Sequence, residues 1–312
     1  MPAPPTDILF VLHINDNRNG EEAGMAAGSS ERKTYHGVVV PMVTPINADG
    51  GLDEPAIKRI IDHLVTGGSN GIFVLGSTGE GPSVPREMRS RLVQLAIDYT
   101  GGRAQVYAGI ADTVVEESIQ AAREYLRRGA AAVVAPMPSY FTLTPDEQFR
   151  YFATLAERIR GPVLMYDIPS AVHASIDPGV IEHLRAFSNV IGIKDSSGDI
   201  DRLSSLLTSY GDDPGFSVLV GATSLSSYGL RHGADGIVPS GANLNPALTA
   251  RLYASAVKGD WSLMDELQRD LDNLQAEIAG ETIGRSIARL KRQMNKRGLC
   301  GPRVFLPIQM EE

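Results

Sequence analysis

The chain has 312 residues, 43% of them hydrophobic and 21% charged, a globular balance with length enough for one large barrel or two ordinary domains. A net charge of −8 repels phosphate backbones and argues against nucleic acid as a partner, and no apolar run reaches the length of a membrane span. The single cysteine, Cys300, cannot form an internal disulfide, and Ile8–Leu12 is too short, with no basic stretch before it, to read as a secretory signal, so a cytoplasmic location is expected.

Residues 1–34 carry Pro2, Pro4 and Pro5, then Asn15-Asp16-Asn17-Arg18-Asn19-Gly20 and Gly28-Ser29-Ser30, the composition of a flexible tail. From His36 onward, short runs rich in β-branched residues alternate with amphipathic segments. The runs are Val38–Val43, Gly71–Leu75, Gln105–Ile110, Ala131–Ala135, Pro162–Tyr166, Val190–Lys194, Phe216–Val220 and Gly236–Pro239. Continuous apolar runs of this kind suit parallel strands buried on both faces.

Between them, Ile57, Ile60, Ile61, Leu64 and Val65 keep helical spacing, with Asp53 as N-cap and Gly67 past the end. Thr144-Pro145-Asp146-Glu147 is a capping box with proline at the first helical position, and Phe149, Phe152, Leu155, Ala156 and Ile159 mark one buried face. Asp199, Ile200, Leu203, Leu206 and Leu207 repeat the pattern. After Pro246 the strand signal ends. Leu263, Leu267, Leu271, Leu274 and Ile278 mark a further helix, and Tyr151, Tyr253 and Trp261 read as packing residues within helices.

Eight strand–helix units predict a (β/α)8 barrel over residues 35–245, followed by a helical appendage over 246–312. A doubly wound sheet would carry a glycine fingerprint after its first strand. Val43-Thr44-Pro45 stands there instead.

Active sites of such barrels lie at the C-terminal ends of the strands. Those ends carry Gly76-Ser77-Thr78-Gly79-Glu80-Gly81, Tyr140, Tyr166-Asp167, Lys194-Asp195-Ser196-Ser197-Gly198, Gly221-Ala222-Thr223 and Ser240-Gly241-Ala242-Asn243. Lys194 closes an apolar run. From its place alone it is either paired with Asp195 or a desolvated amine, nucleophilic toward a carbonyl carbon. Tyr166 is either a core tyrosine or a proton shuttle. The Gly76–Gly81 loop is either a tight turn or a cradle for a small carboxylate. The six histidines show no paired ligand spacing, so no metal is expected, and His173 reads as an ordinary loop residue. The loops after strands seven and eight have no lysine or arginine close by, which weighs against a phospho-sugar enzyme.

Three segments together, Gly76-Ser77-Thr78-Gly79-Glu80, Tyr166-Asp167-Ile168-Pro169-Ser170 and Gly192-Ile193-Lys194-Asp195, resemble the signatures of the dihydrodipicolinate synthase/N-acetylneuraminate lyase family, in order and at strand ends. The resemblance runs from about Tyr35 to the C-terminus. It implies a class I lyase that binds pyruvate, or a substrate yielding it, as an imine on Lys194, with no metal or organic cofactor. Tyr166 is then the general acid and base, and Ser77, Thr78 and Gly79 bind the 2-oxo acid carboxylate. Tyr140 corresponds to a second catalytic tyrosine, which in the synthases reaches across a tight dimer to complete a proton relay. Gly221, Val238 and Ser240 line the pocket, and the assembly is a homotetramer, a dimer of dimers. Departures bear on the aldehyde partner. Ala171 stands where the synthases carry arginine, Asp167 where they carry asparagine, and Ala222, Thr223 and Ser224 where the sialic acid lyases carry acidic residues. A 2-keto-3-deoxy sugar acid substrate is therefore expected. 4-Hydroxy-tetrahydrodipicolinate synthesis from pyruvate and aspartate semialdehyde, an imine-dependent dehydratase, and a non-catalytic 2-oxo acid binding protein are the alternatives.

Overall fold

The computed structural model describes residues 33–310, and the tail expected over 1–34 lies almost wholly outside the described residues. Eight parallel strands close into a barrel in sequential order. They are β1 (Gly37–Pro41), β2 (Gly71–Val74), β3 (Gln105–Gly109), β4 (Ala132–Pro136), β5 (Val163–Asp167), β6 (Val190–Asp195), β7 (Ser217–Val220) and β8 (Gly236–Ile237). The helices between them are α1 (Glu54–Thr66), α2 (Arg86–Thr100), α3 (Val115–Arg128), α4 (Pro145–Arg158), α5 (Pro169–Val172), α6 (Pro178–Leu184), α7 (Ile200–Tyr210) and α8 (Ser226–Arg231). After β8 come α9 (Pro246–Lys258), α10 (Trp261–Ile278) and α11 (Ile283–Lys296). Because α9 follows β8 directly, it takes the place of the eighth helix of the repeat, and α10 and α11 are additional to it. No helix among the described residues is long and apolar enough to cross a membrane.

Local chemistry accounts for these elements. The Asp53 carboxylate accepts from the Ala56 amide at 3.0 Å and caps α1, whose Ile57, Ile60, Ile61 and Leu64 are fully buried. Both halves of the Thr144–Glu147 capping box form at the start of α4. Three expectations of burial fail, two of them at the first residue of a helix. Phe149 is 37% exposed and packs edge-on to His183, and Gln148 takes the inward position, donating to Leu143 O and Ser175 O. Ile200 and Trp261 open α7 and α10 and are exposed as well, Trp261 lying under the Arg231 guanidinium. Ile200 and Trp261 stand at the first helical position, where a side chain has no preceding turn beneath it, so spacing alone misjudges their direction.

One irregularity sets the register of the site. Val163 pairs with Val190, but Leu164 pairs with Gly192, so β6 carries one extra residue, Ile191, against β5. From there Tyr166 lies level with Lys194, and Asp167 with Asp195. Gly192 has φ of 153°, and a Cβ there would lie 2.1 Å from the backbone oxygen of Ser217. No rotamer relieves a clash with backbone, so only glycine fits. Gly192→Ala is expected to cost at least about 2 kcal/mol in unfolding free energy or to prevent folding. A urea midpoint equal to that of the wild type would refute this.

Candidate active site

Parallel strands send residues level with one another to the same face, and successive residues to opposite faces. Lys194 and Tyr166 therefore share the barrel interior, while Asp195 and Asp167 share the face toward the helices. Lys194 is 5% exposed, and its Nζ lies 3.9 Å from the centroid of the Tyr166 ring and 5.0 Å from that of Phe73. The Tyr166 hydroxyl is 3.3 Å from Ser77 Oγ. Burial pushes the Tyr166 phenol up, but the Lys194 charge and hydrogen bonds with Ser77, Lys194 and Ser196 outweigh it and hold the phenol below its ordinary range. A phenol so placed can exchange protons with a group bound at the amine.

A cavity of about 430 Å³ opens at the strand ends, with Phe73, Gly76, Ser77 and Tyr166 in its wall. Lys194 is not itself in that wall. Its amine lies over the rings of Phe73 and Tyr166, two residues that do border the cavity. Farther out the wall holds Arg89, Asp112, Thr113, Ser139, Ile168 and Ala171. Arg89 Nη1 is 3.5 Å from Asp112 Oδ2, and Arg86 also reaches that oxygen at 3.2 Å.

The other expected site residues divide. Thr78 is half-buried beside Ser77. Gly79 is buried, and its carbonyl accepts from the Thr44 hydroxyl at 2.5 Å. A Cβ on Gly221 would lie 1.9 Å from Ser196 Oγ and 2.9 Å from Lys194 Cε, so this glycine leaves the room that the lysine stem fills. Val238 is buried and its amide donates to Val220 O at 2.7 Å, joining β8 to β7. The Ser240 hydroxyl donates to Gln275 of α10 at 3.1 Å, which holds it to the appended helices. Tyr140 is 80% exposed on the loop after β4, packed edge-on against Phe141, itself 73% exposed. His173 is exposed at the end of α5.

Sequence reasoning missed the charge cluster behind the site. Arg202, on α7, lies 2.5 Å from Asp167 Oδ2 and 3.8 Å from Asp195 Oδ1, and donates to Ile176 O at 2.7 Å. Asp195 also accepts from the amide and hydroxyl of Ser197. The sequence-level pairing of Lys194 with Asp195 is thus replaced by one between Asp195 and Arg202. Burial pushes the Asp167 carboxyl up to about 6, with neighbouring Asp195 adding to the rise and Arg202 opposing it. Burial raises Asp195 too. Among the described residues no group of three or more His, Cys, Asp or Glu side chains is arranged to hold a metal ion.

The sequence model of the dihydrodipicolinate synthetase family matches residues 34–311. The chain belongs to this family. Members are pyruvate-dependent class I aldolases and lyases, and the protein is an enzyme of that kind. A 4-hydroxy-tetrahydrodipicolinate synthase of Hyphomonas neptunium is 30% identical over 275 residues, 88% of this chain and 92% of that protein. The dihydrodipicolinate synthase structure from Bacteroides thetaiotaomicron is similar at TM-score 0.85 and 31% identity, over 90% of this chain and 95% of that one. A prophage protein of the family from E. coli K12, solved in complex with pyruvate, gives TM-score 0.84 and 27% identity over 89% and 94%.

Two expectations follow from the geometry. In Gly221→Ala the new methyl must displace the Lys194 stem, so the rate of imine formation with pyruvate should fall by about a hundredfold while far-ultraviolet circular dichroism stays unchanged. An unaltered rate would contradict the packing. The second concerns Asp167, whose carboxyl is raised from its ordinary 3.8 to about 6 in the folded chain. Between those values the folded protein holds a proton that the unfolded chain has released, so this contribution is present at low pH and lost as pH rises. Asn cannot titrate. The melting temperature of Asp167→Asn relative to wild type should therefore rise between about pH 4 and pH 7, and a flat difference would exclude the shifted carboxyl.

Proposed function

We propose that this family member makes or breaks the C–C bond between pyruvate and a hydroxylated aldehyde, with a 2-keto-3-deoxy sugar acid as the substrate cleaved. The observation that carries the chemistry is the amine of Lys194 lying 3.9 Å over the Tyr166 ring, with the Ser77 hydroxyl 3.3 Å from the Tyr166 oxygen.

Lys194 Nζ attacks C2 of the 2-oxo acid, whose carboxylate lies on the Ser77–Thr78–Gly79 turn. Tyr166 delivers a proton to the carbinolamine oxygen, and water leaves to give the protonated imine. Loss of the proton from the C4 hydroxyl then breaks the C3–C4 bond. The electron pair moves to the imine nitrogen, and the aldehyde departs. Protonation of the resulting enamine at C3, followed by water addition, frees pyruvate and the amine. No metal or organic cofactor enters these steps.

The aldehyde half is argued from the outer cavity. Ala171 stands in the wall where the synthases carry arginine for a second carboxylate. Arg89, the cation in that wall, lies against Asp112. Thr113 and Ser139 add hydroxyls. A paired charge among hydroxyls suits a neutral polyol chain better than a second anion. The competing reading is 4-hydroxy-tetrahydrodipicolinate synthesis, favoured by the names of relatives about 30% identical. For the assembly we propose a dimer of dimers, supported by the exposed Tyr140–Phe141 pair beside the cavity loop, aromatic surface of the kind that subunit contacts cover.

Borohydride reduction in the presence of pyruvate should add one pyruvyl group per chain by intact mass, and Lys194→Ala should add none. No adduct on the wild type, or an undiminished one on the variant, rejects the imine. Release of pyruvate from 2-keto-3-deoxy sugar acids should exceed condensation with aspartate semialdehyde. The opposite order would assign the synthase reaction instead.

A further inference from the structure

The loop read above as the carboxylate site is held from a distant part of the chain. Glu80 ends the Gly76–Glu80 segment in the left-handed region, with φ of 56°. Its carboxylate is fully buried and forms an ion pair with Lys291 of α11, also fully buried. The second carboxylate oxygen accepts from the Phe305 amide at 2.6 Å. Lys291 in turn donates to the Arg303 carbonyl at 2.7 Å and lies 5.9 Å from the Phe305 ring.

Three further contacts make the loop rigid on its other sides. Thr44 donates to Gly79 O, the Glu80 amide donates to Ser77 O at 3.0 Å, and the Gly81 amide donates to Gly76 O at 3.0 Å. The loop also lies directly on backbone. A Cβ on Gly81 would stand 2.0 Å from Leu75 O, and one on Gly79 2.8 Å from Met42 O. Side chains Ser77 and Thr78 thus project from a turn that has no slack of its own. What fixes its outer end is a buried charge pair formed across more than two hundred residues of sequence.

We propose that Glu80, Lys291 and the main-chain amide of Phe305 form a clamp through which the C-terminal segment holds the Ser77–Thr78 turn in its carboxylate-binding shape, making Glu80 and Lys291 positioning residues for pyruvate. The proposal rests on the reading of that turn as the carboxylate site. A buried ion pair adds little to stability compared with apolar residues of similar volume, whereas it fixes the relative place of the two segments that carry it. Burial lowers the Lys291 ammonium and Glu80 opposes this, as expected of a charge kept inside only by its partner. Neither side chain borders the cavity, so each acts through the turn.

The test reads the pyruvate concentration that half-saturates borohydride trapping, separately from the adduct at saturation. Phe305→Pro deletes the donated N–H and leaves both charges in place. It should raise the half-saturating concentration about tenfold or more, with one adduct per chain still reached at saturation. Glu80→Gln should do the same where it folds, since the buried Lys291 then loses the counter-charge that ties it to the turn. The double variant Glu80→Gln/Lys291→Met keeps an acceptor for the Phe305 amide and strands no charge. It should fold and still need severalfold more pyruvate than the wild type, and a wild-type value in the folded double variant overturns the role of the charge pair. A half-saturating concentration in Phe305→Pro within about twofold of wild type overturns the clamp. A wild-type protein that forms no saturable adduct overturns the underlying reading of the site instead, so the two failures are distinct.

Discussion

The extra residue of β6 at Ile191–Gly192 is the constraint on which the rest of the site depends. Without it, Tyr166 would lie level with Ile193, and Lys194 would point toward the helices, because a slip of one residue reverses every side chain. The irregularity puts amine and phenol on the same interior face. It also has an unavoidable second effect. Asp167 and Asp195 become neighbours on the opposite face, where burial raises both carboxyls and Asp195 adds to the rise at Asp167. Arg202 lies between them and opposes that rise. The reactive pair and the charge cluster behind it are two faces of one register.

Much of this was legible in the sequence. Apolar runs bounded by helical spacing locate all eight strands, because strands buried on both faces tolerate few polar residues. Lys194 stands out because it interrupts that rule at a strand end. The family resemblance names the chemistry, and the family match bears out fold and class. What spacing cannot give is pairing between distant segments. Arg202 looks like one more solvated arginine at the start of α7, and Lys291 like one more lysine on a helix. Each has its role only because the fold carries it beside a carboxylate, Asp167 in one case and Glu80 in the other. Gly192 did leave a sign, since a glycine inside an apolar strand run often marks a bulge. Ser240 misleads for a related reason. Its strand-end position suggests a pocket, but the appended α10 supplies Gln275 as partner for its hydroxyl.

The way charge is distributed keeps the buried carboxylates of the barrel away from Lys194. Arg202 serves Asp167 and Asp195, Lys291 serves Glu80, and Arg89 and Arg86 serve Asp112. Each of these ions has its partner within the chain. Lys194 instead meets the Phe73 ring and the ring and hydroxyl of Tyr166. Asp195, the nearest carboxylate in sequence, is sent by strand alternation to the far face and is occupied by Ser197 and Arg202. The side chain set against the amine is thus a phenol, which can exchange a proton with a group bound there, and not a carboxylate. Pairing these buried ions with one another therefore leaves Lys194 beside Tyr166 alone among the ionisable groups named.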